Sequence, residues 1–303
     1  MTKTIGKVMM AVLLLGIFCG TATAAEMMKW TGCGITKIAF MAEAADAYKK
    51  KTGVVISLSG GGATKGIRAA NSGEVDMGGN CRPSLPGKFP AEEGEVYLTV
   101  VAWDALVPIV QKDNPVDSIT TENLKKVLQG EITNWKDLGG PDQKILLVTR
   151  TGKTNGVGYM ARKIIFNDPD VDFAADALVL KSTGPVENKI KSDVTAFGLT
   201  GFSSAKKRVD SGESMKILAV DGHKADAASI ASGSYSTFRP LFISTKGKPA
   251  GEVKAFLDWL LSDEGQGVVE AAGTASVRQS VGLKAKFKHW ETTDRIVNFD
   301  SLP

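Results

Sequence analysis

Apolar and polar positions along this chain alternate between two periods, one of helices and one of strands. "MMKWTGCG" reads as a short strand running into a turn. In "KIAFMAEAADAYKKKTG" the helical period puts Ile38, Met41, Ala45 and Tyr48 on one face, and Gly53 falls where a helix-terminating glycine belongs. "VVISLSGGG" is β-branched and ends in glycines; "TKGIRAANSGE" is a helix or turn, and "VDMGG" a short strand. The order β-α-β-α-β is that of a parallel α/β sheet.

Further on, "VAWDALVPIVQKDNP" predicts a buried strand ended by a turn. "TTENLKKVLQG" is a helix capped by Thr120 or Thr121 and stopped by Gly130. "KILLVTRTGKTNGVGYMARKIIF" is a strand, turn and helix, "DVTAFGLTGFSSAKK" a strand and turn, and "TFRPLFISTK" a long apolar strand. "AGEVKAFLDWLLSDEGQGVVEAAG" is a pair of helices.

In parallel α/β sheets, ligands bind beyond the carboxyl ends of the strands. The turns Gly32–Lys37, Gly60–Lys65 and Gly78–Arg82 all fall at such ends and are expected to share one edge. Glycine lets backbone approach a ligand closely. Amides at a helix start lack partners and carry partial positive charge. Thr adds a hydroxyl, and an Arg fork suits an oxyanion. Lys37, Lys65, Arg82, Arg150 and Lys153 are the candidate cations. The reading is an anion pocket.

Composition narrows this picture. Of 303 residues, 37 are basic and 33 acidic, too even a balance to argue for nucleic acid. Lys3 and Lys7 precede the apolar run "VMMAVLLLGIF", and Ala22-Thr23-Ala24 fits a cleavage site, so residues 1–24 are expected to be a secretory signal peptide. The expected location is the periplasm, an oxidising compartment. Cys19 would leave with the signal, while Cys33 and Cys81 stay, each in a glycine-rich turn.

Catalytic patterns are not found. His223 and His289 lie in polar contexts and read as solvated, and no nucleophile elbow, zinc-protease or P-loop spacing occurs. Trp103, Trp135, Trp259 and Trp290 read as core or interface. The expectation is a binding protein, not an enzyme, with no cofactor and no metal.

The stretches "AYKKKTGVVISLSGGGATKGIRAANSGEVDMGG", "DNPVDSITTENLKKVLQGEITNWKDLGGPD" and "TAFGLTGFSSA" resemble the periplasmic phosphate-binding protein family, the solute receptors of phosphate ABC importers. The resemblance implies a type II periplasmic-binding-protein fold: two α/β lobes on a two-stranded hinge, the ligand cleft between them. It also implies lobe 1 as residues 25–103 plus 240–303 and lobe 2 as 104–239. Carried onto this chain, the ligand residues are Thr36, Lys37, Ala63, Thr64, Cys81, Arg82, Arg150, Thr154, Asn155 and Gly156. Some depart from the family pattern: Lys37 stands for a Phe, Ala63 for a Ser, and Cys81 for an Asp that accepts the proton of hydrogen phosphate. A carboxylate is lost and cations are gained, so a fully ionised oxyanion is expected to bind at least as well as hydrogen phosphate.

Three readings of Cys33 and Cys81 stay open: a disulfide clamping two turns, a thiol pair for a thiophilic ligand, or unpaired packing cysteines. The expected partners are an inorganic oxyanion and the permease subunits of an ABC importer, met by a monomer. The alternative is a sensor of oxyanions or thiophilic ligands that docks on a membrane signalling partner.

Overall fold

The computed structural model describes residues 27–303, so the expected signal peptide and Cys19 lie outside the described residues. Among the described residues twelve strands occur in chain order: β1 (Met27–Gly32), β2 (Val55–Gly60), β3 (Met77–Asn80), β4 (Val96–Gln111), β5 (Ser118–Ile119), β6 (Leu146–Arg150), β7 (Leu178–Leu180), β8 (Ala196–Gly201), β9 (Met215–Ile217), β10 (Ala219–Val220), β11 (Phe238–Lys246) and β12 (Ala275–Ser276). Ten form one sheet in the order β2-β1-β3-β11-β4-β8-β6-β7, with β9 and β12 also on β4, while β5 and β10 pair separately.

β4 joins two halves. Along Val96–Ala105 it pairs antiparallel with β11; from Leu106 onward its partner is β8. On one side β1 pairs parallel with both β2 and β3. On the other, β6 pairs parallel with β7 and β8. The chain thus forms two α/β lobes, and β4 and β11 run side by side where the halves meet. β4 is buried along nearly its whole length because helices and the second half of the sheet cover it, which is why its sequence is apolar rather than alternating.

Local chemistry explains most of the helices. Thr120 caps Thr121–Gln129 by accepting from the Asn123 amide, and Gly130 ends it at φ 79°. Gly53 ends Ala42–Thr52 at φ 83°. Both are the left-handed stops that glycine makes without strain. The first helical run differs from its periodic expectation: Gly34–Thr36 passes through a π turn at Lys37–Met41 before Ala42–Thr52. A wider turn shifts the buried face, so Ile35, Ala39 and Phe40 are buried and Ile38 is only half so. The stretch after β8 is a helix, Phe202–Asp210, not the turn its sequence suggests.

Trp103 and Trp135 are buried, as is most of Trp259. His223 is exposed as expected, but His289 is half-buried with its ring edge-on to Phe287. No helix among the described residues is long and apolar enough to cross a membrane.

Candidate functional site

Three turns leave the carboxyl ends of β1, β2 and β3, which the parallel register sets side by side. Tight backbone contacts hold them. The Cys33 amide donates to the Gly79 carbonyl at 2.8 Å, and the Gly62 amide donates to the Gly32 carbonyl at 3.0 Å. A side chain on Gly79 would start 2.0 Å from the Trp30 ring, so only glycine lets the strands and turns close up here. Cys33 is the N-cap of the first helical run, and Gly62, at φ 89°, is the N-cap of Ala63–Ser72. Two helix starts therefore point their free amides at one edge.

The second half contributes Arg150, the last residue of β6, and the helix Gly156–Ala161. A Cβ on Gly156 would lie 2.3 Å from Cys81 Sγ and 3.1 Å from the Ala63 methyl. A Cβ on Gly62 would lie 3.5 Å from Arg150 Nη2. The Thr64 hydroxyl donates to the Thr154 carbonyl at 3.3 Å. Cys33, Ala63, Thr64, Cys81, Arg150, Thr154 and Gly156 thus gather where the lobes touch, and the lobes are closed on one another.

Arg150 is half-buried, and its only hydrogen bonds among the described residues go to neutral oxygens. Nη1 donates to the Thr183 hydroxyl at 3.1 Å and Nη2 to the Lys181 carbonyl at 3.5 Å, while Nε is buried without a partner. Thr36 is fully buried and its hydroxyl likewise has no partner. The Nε atoms of Arg82 and Arg239 are also buried without a partner.

Cys33 and Cys81 are both fully buried free thiols, their sulfurs 3.2 Å apart. They share a proton unequally. The hydrogen bond from Cys81 brings the Cys33 thiol down to about 6 against the cost of burial, helped by the Arg150 and Arg239 charges and the Thr36 amide. The same hydrogen bond, with burial, pushes Cys81 up, so it stays the donor.

Four of the candidates have partners of their own close by. Arg82 is fully buried and forks onto Glu93 at 2.8 and 2.9 Å, with a further bond to the Thr64 hydroxyl, so its charge is neutralised inside the first lobe. Lys153 turns away to Asp172 at 2.7 Å and to the Asp170 carbonyl. Asn155 is a helix cap, accepting from the Gly158 amide and donating to the Thr151 and Gly152 carbonyls. Lys37 is half-buried and reaches back to the Leu58 carbonyl at 3.5 Å.

Sequence reading missed Arg239. It is fully buried on β11, where Nη2 meets Asp104 Oδ2 at 3.1 Å and Nη1 donates to the Cys81 carbonyl at 3.3 Å. Asp104 also accepts from the Ser203 amide and hydroxyl, both at 3.0 Å. This pair sits where β4 and β11 run together and fixes the backbone of Cys81. The signal was present: Asp104 is the one charge in β4 and Arg239 adjoins the apolar stretch of β11, and a charge so placed needs a buried partner.

Comparison with known proteins agrees with this arrangement. The model of the PBP superfamily domain matches residues 34–264. The phosphate-binding protein PstS of Borreliella burgdorferi is 34% identical over 185 residues, 59% of this chain and 66% of the relative. That of Bacillus subtilis is 29% identical over 209 residues, 69% of this chain. The match spans 66% of the length of each of these curated relatives. A Clostridium perfringens structure, assigned as a phosphate ABC transporter substrate-binding protein and carrying bound phosphate, superposes with a TM-score of 0.74. It is 26% identical and covers 83% of this chain and 100% of its own. A phosphate transport receptor from Vibrio cholerae, at 24% identity and a TM-score of 0.62, has the same fold. With a family model across most of its length and two lobes meeting at glycine-rich strand ends, the chain belongs to the PBP superfamily.

Proposed function

We propose that this chain is an exported, monomeric solute-binding protein that holds phosphate or a related inorganic oxyanion between its lobes and presents it to the permease of an ABC importer. The observation that carries this is Arg150. It stands at the meeting point of the two lobes beside the Gly62 turn, with no carboxylate partner among the described residues. An arginine in that condition is a ready fork for two anion oxygens. Thr36, Thr64, Thr154 and the amides near Cys33, Gly62 and Gly156 complete the donor set. The likeness to phosphate-binding proteins supports phosphate as the first ligand to test.

Binding is non-covalent, and no residue is assigned a catalytic role. The lobe division is placed near residue 104 and again near 239, supported by the change of partner on β4 between Ala105 and Leu106. Closure of one lobe on the other is the form offered to the permease.

Titration calorimetry with phosphate, arsenate and sulfate tests the reading. Saturation at 100 times the dissociation constant raises stability by about 2.7 kcal/mol, which a thermal-shift assay detects. No heat and no shift with any tetrahedral oxyanion would remove the proposal.

A further inference from the structure

Besides the anion donors, the cleft holds a chemistry that oxyanion binding does not use: two buried sulfurs from two different turns, in contact. Their spacing constrains what they could hold. A tetrahedral metal site needs a third and fourth ligand, and no group of three or more His, Cys, Asp or Glu residues able to hold a metal occurs among the described residues. A soft two-coordinate ion would hold its sulfurs in line, about 4.6 Å apart for metal–sulfur bonds of about 2.3 Å. The observed 3.2 Å asks instead for an angle of about 90° at a bridging atom with bonds of that length. That is the angle of a pyramidal main-group centre carrying a lone pair.

The geometry points to a second ligand class for this cleft: a trivalent metalloid hydroxide, of which arsenous acid is the simplest, captured by Cys33 and Cys81 together. The Thr36 hydroxyl and Arg150 Nε, both without a partner, are the donors its remaining hydroxyl would seek. The step is a condensation with no change of oxidation state. Two arsenic–sulfur bonds form and two arsenic–oxygen bonds break. Each thiol proton leaves with one hydroxide as water, so As(OH)3 and two thiols become (RS)2AsOH and two waters. Cys33 is the attacking sulfur, since its thiolate is stabilised by the Cys81 hydrogen bond and by Arg150 and Arg239; the proton it gave up to solvent returns to the first departing hydroxide, and Cys81 supplies the proton for the second. Both sulfurs are buried with Gly156 against Cys81, so capture takes place with the lobes parted.

Metalloid capture does not require the phosphate reading, and the two are measured separately. The reduced protein is freed of reductant under anaerobic conditions, its two thiols counted, and sodium arsenite titrated without phosphate. The expected result is one arsenic per chain by native mass spectrometry and elemental analysis. Cys33→Ala and Cys81→Ala are each expected to weaken binding by about a hundredfold, because the second sulfur attaches intramolecularly. If either variant does not fold, protection in the wild type decides: arsenite must shield Cys33 and Cys81 together from iodoacetamide. Single-cysteine variants that bind within threefold of the wild type would overturn the assignment. So would reduced wild type that binds no arsenic, or sulfurs that close to a disulfide while arsenite is present.

Discussion

Arg82 and Arg150 look alike in the sequence, each following a glycine-rich or strand-end motif, yet the fold uses them in opposite ways. Arg82 is fully buried against Glu93, which it meets with both terminal nitrogens. Glu93 also takes the Leu85 amide at 2.9 Å and lies 3.5 Å from Arg68. Arg150 is half-buried at the lobe boundary and, among the described residues, hydrogen-bonds only to a hydroxyl and a carbonyl. A charge already neutralised is structural; a charge held in place by neutral oxygens is available to a ligand. Arg239 belongs with Arg82: buried, paired to Asp104, and directed at backbone. The three arginines thus divide into two paired with buried carboxylates and one with no carboxylate partner among the described residues.

The largest expected effect comes from breaking the structural pair. Glu93→Gln leaves Arg82 buried and uncompensated and is expected to cost about 3–5 kcal/mol in urea unfolding. Replacing both residues by apolar ones of similar volume is expected to cost far less, which separates a stranded charge from lost packing. The same pair has a pH signature. Burial pushes the Glu93 carboxyl up, but the Arg82 hydrogen bonds and charge, the Leu85 amide and Arg68 outweigh it and hold it below its ordinary range. Its stabilising contribution is therefore complete above the unfolded carboxylate range and is lost as pH falls through the lowered folded value. Acid titration of stability in wild type and Glu93→Gln checks this; parallel curves would remove Glu93 from the account.

Arg150→Ala comes next and should act on the ligand instead of the fold. A charge-assisted hydrogen bond contributes about 1.5–3 kcal/mol, so phosphate affinity should fall roughly ten- to a hundredfold while the melting temperature of the ligand-free protein barely moves. A large loss of stability with unchanged affinity would make Arg150 a second Arg82. Gly156→Ala probes the contact between lobes. Its methyl would start 2.3 Å from Cys81 Sγ, so closure must give way, at a cost of about 1–3 kcal/mol that appears as weaker phosphate binding and a wider particle in X-ray scattering. Lys153→Ala gives the smallest effect. Its ammonium is partly exposed and occupied by Asp172, and surface ion pairs are worth about 0–1 kcal/mol, so affinity should stay within a few-fold in calorimetry.

Much of the fold was legible because it rests on short-range rules. Thr120 and Gly130 bracket their helix, Gly53 ends another, and glycines close β1 and β2 and lie within β3. The family resemblance added the two lobes. The π turn at Lys37–Met41 was not legible, because helical period alone does not register one extra residue in a turn. The helix Phe202–Asp210 was missed because "GFSSA" has turn composition, while Gly201 at its N-cap is packed so closely against Asp104 and Ile35 from distant segments that a Cβ there would clash with both.

The site divides in the same way. Residue types at the strand ends determined that this chain would bring amides, hydroxyls, two thiols and several cations to one edge, since glycine conformation and parallel pairing are local matters. Only the tertiary structure decided which cations stay free. Whether Arg82 finds Glu93, Lys153 finds Asp172, or Arg239 finds Asp104 depends on where the chain returns in space, and a buried charge takes whatever partner that return places beside it. Side-chain charge is written in the sequence; its neutralisation is a property of the packed molecule, because desolvation and pairing exist only once the chain has closed around them.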